Sequence, residues 1–571
     1  MPYIINNPIY LAQQSIKLEI IMLGILSFVG FTLLVALIAF LATRKTDESS
    51  SDGYFLGGRS LTAGVIAGSL LLTNLSTEQI VGLNGSAYTD GLSVMAWETL
   101  AAIAMVVTAV FLLPRYLKGG LTTIPQFLAK RFDVTTKTIT SGLFLTGYVV
   151  VLLPVILYSG SVAISGMFNV PELLGVSDST ALVLCIWGIG VIGSIYAVFG
   201  GLKAVAVSDS INAVGLIVGG ILIPIFGLMA IGDGNMFTGL DNLITSDAAR
   251  FDSTGEAGQE VPFSTIFTGM MLVQLFYWGT NQQIIQRALG AKNLAEGQKG
   301  LLLASFLKIL GPLILVLPGM IAYYYFDGSL ASSDLAYPEL VRAVLPKPLV
   351  GFFAAVLFGA ILSSFNSVLN SSVTLFGIDI YKQHINKEAP EKTVVKYGKI
   401  FGICLALAAM FIAPLIANAG SLFNYLQEIN GIYSIPIFTI IVVGYLTKRV
   451  PAIAAKIGIF SGSLLYIISQ FILKGKFVEN ALESAKASGI TDPAALKLVE
   501  ADAYPHFLHI MAILFVTNAA IMLLIGKFYP RKEDFELEYT KQVSIEPYKY
   551  VNHVGIAICV IVVGIYIYFA K

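Results

Sequence analysis

Apolar runs of twenty residues or more, separated by shorter polar segments, make up most of the chain. A membrane-crossing helix needs about 20 mostly apolar residues. Fourteen runs meet that requirement, over 18–43, 60–84, 91–114, 136–168, 180–199, 204–231, 262–284, 298–325, 350–377, 397–417, 421–446, 452–473, 506–526 and 551–570. The first run is too long for a removed signal peptide and lacks a small-residue cleavage site, so a retained span is expected. The pattern predicts an all-α integral membrane protein with about 14 transmembrane helices.

Basic residues sort the connecting segments, because cytoplasmic loops carry an excess of Lys and Arg. With the N-terminus outside, inner loops hold 25 of the 35 basic residues and outer segments 9, with Lys308 left inside a span. An even number of spans then puts both termini outside. The largest gaps, 232–261 and 474–505, are polar, fall outside by this count, and are too short to bury a core of their own.

Composition agrees with the pattern. The 571 residues are 56% hydrophobic and 12% charged, with a mean hydropathy of +0.80, whereas soluble domains are roughly 45–50% apolar and about 25% charged. A soluble enzyme is excluded. Thirty-five basic residues balance thirty-five acidic ones, so no net charge favours nucleic acid. Cys185, Cys404 and Cys559 lie in apolar runs without a CxxC or Cys/His arrangement, which argues against a disulfide framework and a zinc site. Neither HExxH nor GxSxG occurs, so a membrane-embedded enzyme is not expected.

Polar groups at membrane depth are costly and normally face a cavity or one another. Here they are Glu78 with Thr73, Asn74, Ser76, Thr77 and Gln79, then Glu98, Asp209, Lys308 and Glu428, with uncharged clusters at 274–281, 363–371 and 427–430. Six polar residues in seven cannot all face one side of a continuous helix, so the second span is expected to unwind near its middle. A broken helix exposes carbonyls and a helix end, the device by which many secondary transporters bind ion and substrate. Hydroxyls such as those of Ser363 and Ser364 beside freed carbonyls suit sodium, a hard cation; bonding back to a carbonyl one turn earlier is their other reading. Glu98 and Lys308 either pair structurally or hold a polyhydroxylated ligand between them. Gly215 and Gly219, four apart, predict close helix packing.

Several stretches, in order, resemble the sodium/solute symporters and, within them, the sodium/glucose and sodium/galactose cotransporters. They are YFLGGRSL (54–61), NLSTEQIVGLNGSAY (74–88), IPQFLAKRF (124–132), FGGLKAVAVSDSIN (199–212), FYWGTNQQIIQRALGAK (276–292), SSFNSVLNSSVTLFGIDIYK (363–382) and FNYLQEINGIYS (423–434). The resemblance implies a LeuT-like core of two inverted five-helix repeats over 54–446. One helix and a cytoplasmic link (1–53) would precede it, and three helices with an extracellular loop at 474–505 would follow (447–571). The first helix of each repeat would be broken, the second span at TNLSTEQ and the seventh near Gln274 to Gly279.

It also implies residue roles. Sodium would be held by the carbonyls of Leu72, Leu75 and Ala360 and the hydroxyls of Ser363 and Ser364, with Asp209 behind them or, with Asn366 and Ser367, at a second sodium. Gln79, Glu98, Gln274, Lys308 and Gln427 match the sugar contacts, Tyr277 the aromatic stacking on the sugar and the inner gate, and Leu83, Trp97 and Phe423 the outer gate. Gln274 replaces an asparagine of that branch and Ala101 a serine, which leaves the choice among epimers open. The expected protein is thus a sodium-coupled hexose symporter of an inner or plasma membrane, with a neutral monosaccharide, sodium and the lipid bilayer as partners. An inositol or other polyol symporter and a non-transporting sugar sensor on the same scaffold are the alternatives. The ion count and oligomeric state stay open.

Overall fold

The computed structural model describes residues 8–44, 50–418 and 422–570. Among them no strand forms, and the one isolated bridge joins Leu61 to Ala291. In lipid every backbone polar group must be satisfied within the segment, which for apolar runs means helix. The helices used below are α1 (Pro8–Thr43), α2 (Ala63–Asn74), α3 (Thr77–Asp90), α4 (Ala96–Val107), α5 (Leu153–Phe168), α6 (Asp178–Ile231), α7 (Met271–Gly279), α8 (Gln282–Leu289), α9 (Leu294–Lys308), α10 (Lys347–Thr374), α11 (Leu422–Leu446), α12 (Ala452–Ile467), α13 (Phe507–Phe528) and α14 (Val551–Phe569).

Among the described residues 11 helices are long and apolar enough to cross a membrane, and 12 when α9 and the bent segment Gly311–Tyr325 count as one span. The expectation of about fourteen is approached when the 42-residue run Thr77–Lys118 is divided between the broken second span, α2 with α3, and α4, and the broken span of α7 with α8 is added. The 54 residues of α6 make two spans, because Gly201 at φ 57°, ψ −177° interrupts the helix. That conformation is open to glycine at little cost. A Cβ there would also lie 3.2 Å from the Tyr54 carbonyl.

Glycines set the distance between α6 and α10. A Cβ on Gly215 would stand 2.9 Å from Val356, one on Gly219 2.7 Å from Phe353, and one on Gly359 2.6 Å from the Asn212 amide. The packing predicted from the Gly215/Gly219 spacing is therefore present, and it holds Asp209 of α6 beside Ser363 of α10. Helix α1 lies against the outside of α10 through Phe28–Phe358 and Phe31–Phe352 ring contacts at 5.1 and 5.5 Å.

Candidate functional site

Two helix breaks face each other at the centre of the molecule. Helix α2 ends at Asn74; Leu75 (φ −74°, ψ 54°) leaves helical geometry, and Ser76 (φ −82°, ψ 173°) is extended before α3 begins. The last carbonyls of α2 and the first amides of α3 are thereby released from intrahelical bonding. In the seventh span α7 ends at Gly279, Thr280 is non-helical, and Asn281 caps α8 by accepting from the Gln283 amide at 3.2 Å. Tyr148 fixes that cap with a 2.6 Å bond to Asn281 Oδ1. Tyr116 donates to the freed Gly279 carbonyl at 2.8 Å. This break falls at the far end of the expected 274–279, and its place has a local cause. The polar groups of Gln274 are satisfied while the helix continues, Nε2 by the Trp97 carbonyl at 2.8 Å and Oε1 by Trp278 at 3.2 Å.

Between the breaks lies a cavity of about 60 Å³ lined by Asn74, Glu78, Gln79, Trp97, Gln274, Tyr277, Asn281, Gln283, Gln427, Asn430 and Ser434. Open ligand pockets run roughly 300–1,000 Å³, so this one is closed down. A larger cavity of about 690 Å³, lined among others by Ser86, Asp90, Glu260, Glu428, Tyr504 and His506, lies at the end of the bundle that carries the 474–505 segment.

The structure unites most of the expected sugar contacts. Lys308 donates to both Glu98 and Asn74; Gln79 donates to the other Glu98 oxygen at 3.0 Å; Asn74 donates to the Tyr277 hydroxyl at 3.3 Å. One chain of bonds thus runs from Tyr277 through Asn74, Lys308 and Glu98 to Gln79, with Gln427 on the cavity wall contributed by α11. Glu98 and Lys308 are fully buried and stand behind Gln79 and Asn74, not on the cavity surface. Of the expected gate, Trp97 lines the cavity, Leu83 is packed away from it, and the Phe423 side chain lies outside the described residues.

The expected sodium ligands also converge. Ser364 Oγ donates to the Thr73 carbonyl at 3.2 Å, and Thr73 Oγ1 meets Ser367 Oγ at 3.1 Å, which brings the last turn of α2, with Leu72, and the break at Leu75 against α10, where Ala360 sits one turn before Ser364. Ser363 stands beside Asp209. Asn366 Oδ1 is buried without a hydrogen-bond partner, and Ser363, Asp209 and Asn366 all line one cavity of about 240 Å³ between α1, α6 and α10. Hydroxyl, carboxylate and amide oxygens gathered in one place suit a hard cation such as sodium.

Arg287 is the group the sequence reading missed. It is counted there among inner-loop cations, whereas the structure buries it completely, with its guanidinium 3.9 Å from Asp209. Arg287 donates to Ser69 at 3.1 Å, and Ser69 donates to Asp209 Oδ2 at 2.6 Å. Ser367 and the Gln283 carbonyl also accept from Arg287. The available signal was the run QQIIQR, amides and a cation at helical spacing between apolar residues. Asp379 is a buried carboxylate that the sequence pattern did not single out; Lys137 at 3.4 Å, Thr123 and Ser141 surround it.

Over residues 54–465 the chain matches the model of the sodium:solute symporter family. The chain belongs to that family. It is a multi-pass membrane transporter and not an enzyme. It is 45% identical to the uncharacterized symporter YidK of Escherichia coli K12, over 95% of this chain and 90% of that protein. The sodium/glucose cotransporter of Vibrio parahaemolyticus is 32% identical, covering 75% and 81% of the two chains. The human sodium/myo-inositol cotransporter 2 is 29% identical over 77% and 68%. In fold it is similar to a Na+-coupled sialic acid symporter solved substrate-bound and outward-open, at a TM-score of 0.66 and 17% identity, covering 90% of this chain and 98% of that one. The expected LeuT-like architecture stands.

Proposed function

We propose that this symporter imports a neutral hexose of the glucose or galactose type together with sodium, by alternating access. The observation that carries the reading is the closed cavity between the two helix breaks, walled by Gln79, Gln274, Gln427 and Tyr277 and backed by the buried Glu98–Lys308 pair. Amides that donate and accept, an aromatic face and a charge pair that cancels suit a ring bearing hydroxyls and no net charge. The kinship with a sodium/glucose cotransporter supports the same reading. Inositol is the second candidate, on the likeness to the myo-inositol cotransporter.

Sodium is the co-substrate, held by the carbonyls of Leu72, Leu75 and Ala360 with Ser363 and Ser364, and Asp209 with Asn366 offers a second position. Coupling is a difference in affinity: sodium ties the end of α2 to α10, favours the arrangement that binds sugar, and leaves on the inner side with loss of sugar affinity. In this reading 54–446 is the transport core, 1–53 and 447–571 add one and three helices, and both termini lie outside an inner or plasma membrane. Proteoliposomes loaded without sodium should accumulate labelled hexose only when external sodium is present. Binding of the sugar without accumulation would instead indicate a sensor, and uptake indifferent to sodium would overturn the coupling.

A further inference from the structure

Helix α8 is a short rod with a break at each end. It starts at the central cavity, where Asn281 and Gln283 line the wall, and ends before Gly290, on the side away from the large cavity of the 474–505 segment. There its backbone is tied to the stretch that enters α2. Leu61 donates to the Gly290 carbonyl at 3.1 Å and Lys292 to the Leu61 carbonyl at 3.0 Å, and a Cβ on Gly290 would lie 2.8 Å from the Leu56 carbonyl. The segment 55–61 and α8 therefore form one unit, joined by backbone bonds.

The Gln286 amide fixes this unit against α10. Its Oε1 accepts from Ser371 at 2.8 Å, and its Nε2 donates to the Phe55 carbonyl at 2.8 Å, to Thr374 Oγ1 at 3.0 Å and to Asn370 Oδ1 at 3.2 Å. Gln286, Ser371 and Thr374 are 0% exposed and Asn370 1%, so the layer is dry. Phe55 and Val373 pack in the same place, but apolar packing is non-directional, whereas an amide bonded at both ends holds one register. Separated without water, these groups would each carry a desolvation cost; separated with water, they regain partners. The layer is thus stable closed and dry or open and wet, and unstable in between. The next residue, Arg287, reaches Asp209 and Ser367 of α10, one turn before Ser371, so the same helix also touches the surroundings of the proposed sodium.

We propose that Gln286 is a positioning residue for transport: its bonds to Asn370, Ser371 and Thr374 keep the cavity shut toward the inner face, and they break when α8 and 55–61 leave α10 to release solute and sodium. Gln286 touches neither solute nor ion; it sets how readily the inner path opens. The inference rests on the alternating-access reading and names the contact that reading requires to be reversible.

Access to the cavity from the inner face tests this. The full chain, with Cys185, Cys404 and Cys559 replaced by alanine and Asn430→Cys as a reporter on the cavity wall, is labelled in inside-out vesicles with a membrane-impermeant thiol reagent. Gln286→Leu keeps the volume and removes every bond of the amide. It should raise the labelling rate about tenfold or more, because the closed layer loses several hydrogen bonds at once, and sodium should bring the rate back toward that of the parent. Ser371→Ala removes one bond, should raise the rate several-fold, and decides the matter if Gln286→Leu does not reach the membrane. A merely structural amide would lower the unfolding temperature and leave labelling unchanged, and that result overturns the inference. Sodium-driven hexose uptake by the unaltered chain is measured alongside: if it is present and labelling does not respond, the clamp alone falls, and if it is absent the alternating-access reading falls with it.

Discussion

Neutralising Asp209 should damage stability and sodium binding together, and the two effects can be separated. Arg287 and Asp209 are 0% and 1% exposed and 3.9 Å apart. At an effective dielectric of about 20 their attraction is on the order of 4 kcal/mol, and removing one partner of a buried pair costs about 3–5 kcal/mol because the other charge is left buried alone. Asp209→Asn and Arg287→Gln should therefore each lose about that much stability. The double variant leaves two neutral groups around Ser69 and should recover most of it. Sodium binding behaves differently, since the carboxylate itself serves the cation. At sodium concentrations 100 times the dissociation constant the ion stabilises the parent by about 2.7 kcal/mol, and a tenfold weaker site lowers this to about 1.4 kcal/mol. Unfolding of the purified protein in detergent, with and without NaCl, reads both quantities. A double variant no more stable than the worse single one would show that the pair does not form; a full sodium response in Asp209→Asn would remove Asp209 from the ion's surroundings.

Three further outcomes are expected. Ser364→Ala deletes the hydroxyl that meets the Thr73 carbonyl and should raise the sodium concentration for half-maximal uptake about tenfold at matched protein level; an unchanged value excludes Ser364 as a ligand. Gly311→Ala would put a Cβ 2.3 Å from Glu98 Oε2 and 3.1 Å from Glu98 Cβ, so it must displace the Glu98–Lys308 pair. Uptake should fall while stabilisation by sodium persists, and normal uptake would show that transport does not need the pair in this position. Burial, with Asp90 nearby, pushes the Glu260 carboxyl up to about 8. A carboxyl raised by folding favours the folded state at pH values below the ordinary carboxylate range and loses that contribution as pH rises through about 8. Glu260→Gln should therefore unfold at a higher temperature than the parent above pH 8, with the gap closing toward pH 5; parallel curves across that range would show that Glu260 does not titrate there.

The sequence alone determined that the chain crosses a membrane many times, because lipid requires long apolar runs and internally satisfied backbones, and both leave a local record. It placed a break within TNLSTEQ (73–79) for the same reason: six polar residues in seven cannot all face one side of a continuous helix, and the structure puts that break at Leu75 and Ser76. It also singled out Glu98 and Lys308 as charges needing a partner. The seventh break falls at the far end of its expected stretch because Gln274 and Trp278 satisfy each other without unwinding, a pairing that polarity by itself does not reveal. Arg287 was assigned to a loop because eight residues of half-span amphipathic helix look like a loop followed by a basic residue. Its partner Asp209 belongs to another helix, as Ser364 belongs to a helix 291 residues from Thr73. Those pairings were decided by tertiary packing, chiefly by the close approach of α6 to α10 over Gly215, Gly219 and Gly359. A sequence pattern records which groups cannot face lipid; which distant group meets each of them depends on how near two helix backbones can come.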